Sequence, residues 1–126
     1  MSPPPTIQRP DEDDEYATAE GCAILETWNR PDDTRLSVAR ARVAAGATTR
    51  WHRLVDIDER YLIVAGRGRV EVGNLPPTVV QSGDLVHIPA GCRQRITNTG
   101  SDDLVFYALC TPRFVPAAYE DIDDAR

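Results

Sequence analysis

Turn chemistry interrupts this chain every few residues, and no stretch between the interruptions carries a helical period. Asn29-Arg30-Pro31-Asp32-Asp33, Ala44-Ala45-Gly46, Gly66-Arg67-Gly68, Gly73-Asn74-Leu75-Pro76-Pro77, Ser82-Gly83-Asp84, Pro89-Ala90-Gly91 and Asn98 to Asp103 are the breaks. Between them lie short runs rich in β-branched and aromatic residues, which fit a pleated, half-buried surface. The strand candidates are Cys22–Trp28, Arg35–Val43, Thr49–Leu54, Glu59–Val64, Arg69–Val72, Thr78–Gln81, Leu85–Ile88, Arg93–Thr97 and Leu104–Leu109. Many short strands at such spacing predict an all-β sandwich or barrel. Phe114–Tyr119 is expected to pack back as a clip or short helix.

The 126 residues suffice for one closed core and not for two. Residues 1–15 hold four prolines and the acidic run Asp11 to Glu15, and predict a flexible arm. Residues 16–119 form the barrel domain, and 120–126 an acidic tail. Of the net charge of −6, the ends carry the excess: within 16–119, 11 acidic residues face 12 arginines. Without a basic stripe, nucleic acid is not an expected partner. No apolar run is long enough for a membrane span, and MSPPPTIQRP lacks the basic-then-apolar pattern of a secretory signal, so a cytoplasmic location is expected.

All 14 basic residues are arginine, which excludes mechanisms that need a lysine Schiff base or a P-loop lysine. Cys22, Cys92 and Cys110 are odd in number and lack C-x-x-C spacing, so free thiols are expected. With two histidines, His52 and His87, a three-histidine metal site within one chain is impossible.

Side chains alternate along a strand. That puts Thr48, Arg50, His52 and Leu54 on one expected face, Glu59, Tyr61 and Ile63 on another, and Gln94 and Ile96 on a third. In a small barrel the inward faces meet in a lumen that can hold a ligand. Polar side chains there are costly unless paired with each other, water or a ligand. The plainer alternatives are an ion pair of Glu59 with Arg50 or Arg60, a Gln94 that satisfies backbone groups, and a Tyr61 that serves as a core aromatic. The parity of Leu85–Ile88 leaves His87 free to point inward, as a general base, or outward.

Residues 46–66, GATTRWHRLVDIDERYLIVAG, resemble the first cupin motif, with Gly46, His52, Glu59 and Gly66 in register and Leu54 in place of a second histidine. Residues 83–98, GDLVHIPAGCRQRITN, resemble the second, with Gly83, Pro89, Gly91 and Asn98 matching and Gln94 in place of the last metal-binding histidine. The resemblance implies an antiparallel jelly-roll β-barrel (cupin) of six to eight strands. It also implies a metal site, here reduced to His52, Glu59 and Gln94, for which Mn, Fe, Ni or Zn are the candidate ions.

The expected activity is that of a metal-dependent isomerase, lyase or dioxygenase on a small polar molecule, with Glu59, Tyr61 or His87 moving protons. The alternative is a metal-free cupin that binds an anionic or sugar-like ligand through Arg50 and Gln94 as a sensor or carrier. Metal-free acid–base catalysis by His52 and Glu59 is a further reading. The resemblance also implies a homodimer, paired through edge strands, exchanged arms and Trp28.

Overall fold

The computed structural model describes residues 2–123. Among the described residues eleven strands fall into two sheets. One holds β1 (Tyr16–Ala17), β2 (Ala23–Trp28), β3 (Ser37–Val43), β10 (Leu104–Thr111), β5 (Asp58–Ala65) and β8 (Leu85–Ile88), in that order. The other runs β11 (Tyr119–Asp121), β4 (His52–Leu54), β9 (Gln94–Asn98), β6 (Arg67–Val72) and β7 (Thr78–Gln81). Every pairing is antiparallel. Two short strands, β1 and β11, lie outside the runs read from the sequence. Only pairing with β2 and β4 makes them strands, and two or three residues leave no alternation to read. The clip expected over Phe114–Tyr119 is a 3-10 turn, Pro116–Ala118, leading into β11.

Alternation holds well where strands are long. On β5, Glu59, Tyr61 and Ile63 are buried, while Leu62 and Val64 face out. Val43, Ile63, Ile88, Ile96, Leu104 and Phe106, from both sheets, close one core. A smaller cluster of Leu54, Ile57, Cys110 and Ala118, with Phe114 and Tyr119 against it, sits under the C-terminal segment. Gly66 has φ +83°, and a Cβ there would lie 2.5 Å from the Asp103 carbonyl oxygen, so no other residue fits. Asn98 donates to the carbonyls of Val43 and Asp102 and accepts from the Gly100 N–H, which fixes the turn after β9.

Alternation fails between Thr48 and His52. Thr49 is buried with its hydroxyl on the backbone of Ile96, and His52 is buried too, so the inward parity resets across Arg50 and Trp51. These two residues precede β4, and the Arg50 N–H donates to the Glu20 carbonyl instead of joining a ladder. Arg50 therefore does not share a face with His52 as expected.

Residues 12–15 lie against the first sheet. Arg40 pairs with Glu12 and Glu15, and Arg42 with Glu15 and Asp103. Among the described residues all three cysteines are free, and no helix is long and apolar enough to cross a membrane.

Candidate functional site

His52 on β4 pairs with Gln94 on β9, while Glu59 and Tyr61 lie two residues apart on β5, so two sheets bring four polar side chains to the barrel interior. Gln94 bonds two of the others. Its Nε2 donates to Glu59 Oε1 at 2.9 Å, and its Oε1 accepts from the Tyr61 hydroxyl. The Cys110 thiol approaches the other Glu59 oxygen, Oε2, at 3.8 Å. The Tyr61 ring packs on Phe106 with centroids 4.3 Å apart, which holds the hydroxyl in place.

Burial pushes the Glu59 carboxyl up to about 7, although His52 and the Gln94 hydrogen bond pull it down, and Glu20 adds to the rise. The Tyr61 hydroxyl is driven well above its ordinary range, first by burial and then by Glu59. Burial likewise raises the Cys110 thiol, and Glu59 raises it further. Both groups thus keep their protons and act as donors.

His52 forms a second station. Its Nδ1 lies 2.8 Å from the Arg50 carbonyl. A carbonyl can only accept, so Nδ1 carries a proton. Nε2 lies 3.7 Å from Glu20 Oε2, and the ring stacks on Tyr119 with centroids 5.1 Å apart. Burial raises the Glu20 carboxyl, and His52 opposes that rise.

A cavity of about 380 Å³ reaches Glu59 of the first station and Glu20 and Tyr119 of the second, with Ser37, Glu59 and Cys110 buried and Ala39 and Ala108 half-buried along it, whereas His52, Gln94 and Tyr61 do not line it. Ile24, Phe114 and Pro116 also line it, and Tyr16, Glu26 and Asp121 are exposed lining residues. Among the described residues no arginine lines it. Arg50, expected as an anion anchor, is half-exposed and paired with Asp121 at 2.7 Å. His87 is exposed on the outer face of β8, opposite Arg60, because Val86 and Ile88 take the inward positions. That resolves the parity left open by the sequence, and it removes His87 from the cavity.

Two of the three expected metal donors, Glu59 and Gln94, are hydrogen-bonded to each other. Gln94 Oε1 accepts from the Tyr61 hydroxyl and Glu59 Oε1 from the Gln94 N–H, so an ion here would compete with hydrogen bonds already made. Glu20, rather than Glu59, is the carboxylate within ion-pair distance of His52. Among the described residues no three His, Cys, Asp or Glu side chains are grouped to hold a metal.

Glu20, Cys110 and Tyr119 complete the site but were not singled out by the sequence. Cys110 was within reach: Leu104, Phe106, Ala108 and Cys110 share one face of β10 by simple alternation. Glu20 lies in the turn before β2, and Tyr119 opens the short β11, so neither carries a periodic signal.

A two-sheet antiparallel barrel with a cluster of polar side chains inside and a cavity reaching them is the architecture of a cupin. Residues 39–110 match the Cupin domain family, more than half of the chain, and the chain belongs to that family. The uncharacterised protein MJ1618 of Methanocaldococcus jannaschii is 30% identical over 110 residues, covering 86% of this chain and 85% of that protein.

Among solved structures, KdgF from Halomonas sp. is similar with a TM-score of 0.75 at 19% identity, covering 86% of this chain and 96% of that one. Pac13, a nucleoside dehydratase, has a TM-score of 0.75 at 16% identity, covering 94% and 92%. The Streptomyces protein is also known with uridine bound. At such identities these two likenesses are of fold.

Proposed function

We propose that this cupin is an acid–base enzyme of isomerase or lyase type, acting on a small polar molecule in the mouth cavity without a metal ion at His52, Glu59 and Gln94. The observation that carries the reading is Glu59: a buried carboxyl, held near neutrality by its surroundings and open to a cavity of ligand size. A group whose proton affinity lies near the working pH is the effective general acid or base.

In this reading Glu59 removes a proton from a carbon beside a carbonyl, and the C–H electron pair moves into that carbonyl. Glu20, with His52 behind it, delivers its proton to the carbonyl oxygen and forms the enol. Reversal at the neighbouring carbon gives an isomer, while loss of a neighbouring hydroxyl as water gives the lyase outcome. Gln94 and Tyr61 are positioning residues that aim the carboxyl through their hydrogen bonds. Enzymatic cupins of similar fold, including a nucleoside dehydratase, support lyase chemistry as one outcome.

The test is hydrogen exchange in D₂O on a panel of small hydroxy-carbonyl compounds, followed by proton NMR, since a catalytic base washes deuterium into its substrate even without net turnover. Exchange that survives EDTA and is lost in Glu59→Gln is the expected result. Exchange that requires added Mn, Fe, Ni or Zn and disappears in His52→Ala would overturn the metal-free reading.

A further inference from the structure

The charged side chains of the cavity are all of one sign. Glu20, Glu26, Glu59 and Asp121 line it, and the chain has no lysine to reach in from elsewhere. Arg50 is turned toward Asp121, so that carboxylate is already compensated. Glu59 has no cationic side chain among its hydrogen-bond partners: its oxygens meet an amide N–H and a thiol. Glu20 meets the His52 ring at 3.7 Å, a cation only when protonated. Such a site disfavours carboxylates and phosphates, and a desolvated positive group inside it would find Glu59 without a cationic hydrogen-bond partner.

The remaining lining says what else the ligand carries. Ile24, Ala39, Ala108 and Pro116 offer aliphatic surface, and Tyr16, Phe114 and Tyr119 offer aromatic faces that attract cations as well as hydrocarbon. An aqueous metal ion uses none of that surface. A volume of about 380 Å³ holds a whole small organic molecule.

We infer that the mouth cavity selects an organic cation, a small amine whose ammonium lies between Glu20 and Glu59 and whose carbon skeleton packs on Ile24, Phe114 and Pro116. This names the ligand class for the site proposed above and rests on that reading only for the identity of the pocket. Amino sugars and amino ketones are substrates of this chemistry that also carry the carbonyl a base needs.

A charge scan at constant shape tests it. Cyclohexylammonium, cyclohexanol and cyclohexanecarboxylate are titrated into the full chain by ligand-observed NMR at low salt. The ammonium ion is expected to bind at least tenfold more tightly than the alcohol, and the carboxylate not at all. Glu20→Gln and Glu59→Gln should each weaken ammonium binding about tenfold without changing the alcohol, and Glu26→Gln at the exposed side should do less.

Equal affinity for ammonium and alcohol, tighter binding of the carboxylate, or no binding of the ammonium ion overturns the inference. None of these results bears on deuterium exchange at Glu59, so the two proposals fail separately. Exchange without cation preference leaves an acid–base cupin with a neutral substrate. Cation preference without exchange leaves a binding protein.

Discussion

The barrel has two unlike ends. Around Val43, Ile63, Ile96, Leu104 and Phe106 it is filled by apolar side chains from both sheets, several of them fully buried. Around Glu59, Gln94, His52 and Glu20 the same two sheets enclose polar groups and leave a cavity. The first end gains stability from area removed from water. The second spends some of it, because a carboxyl taken out of water resists ionisation. One fold thus separates the part that holds it together from the part that meets a ligand.

Truncation at the closed end breaks the comparison most. Leu104 is 0% exposed, and Leu104→Ala is expected to cost about 2–5 kcal/mol through lost burial and the void left behind. Urea denaturation measures it. Binding and exchange per folded molecule should be unchanged, and a loss there would mean that the two ends are mechanically one.

Glu59→Gln should act in the opposite sense. The folded carboxyl keeps its proton to about 7, whereas an ordinary one releases it near 4.5. Between those values the folded chain binds more protons than the unfolded one, so stability falls as pH rises from about 4.5 to about 7 and levels off above. Glu20 shifts in the same direction. Glu59→Gln removes the Glu59 share of that slope and should stabilise the protein by about 1–3 kcal/mol at pH 8 while abolishing exchange. Denaturation midpoints across that pH range check it. A slope that stays as steep in the variant would show that Glu59 titrates like an exposed carboxyl.

Tyr61→Phe tests the link between the ends, since Tyr61 packs on Phe106 and donates to Gln94. Removing the hydroxyl leaves the buried Gln94 oxygen without that donor, at a cost of about 1–2 kcal/mol. The turnover rate should fall more than the apparent affinity, because Glu59 stays in place but is less firmly aimed. A change in affinity alone would make Tyr61 a binding residue.

The smallest effect belongs outside both ends. Glu12→Gln removes an exposed partner of Arg40, and the denaturation midpoint and ligand binding should stay within error of the parent. A measurable shift would show that the ion pair of Glu12 with Arg40 helps to hold the N-terminal segment on the barrel.

The sequence by itself determined the barrel. A long strand such as β5 alternates between buried and outward positions, and Gly66 and Asn98 stand where a close approach and a turn need them. It also brought forward His52, Glu59 and Gln94 through their register with the two cupin motifs, and Tyr61 by alternation from Glu59.

Tertiary structure decided what those residues do. Whether Gln94 offers its oxygen to a metal or spends it on Tyr61 depends on a contact between β5 and β9, which no local pattern encodes. Arg50 left the lumen because Arg50 and Trp51, outside any ladder, reset the parity before His52. Glu20 and Tyr119 entered the site through chain segments distant from it in sequence. Periodicity is a property of one strand, whereas a site is a property of distances between strands, and only folding sets those.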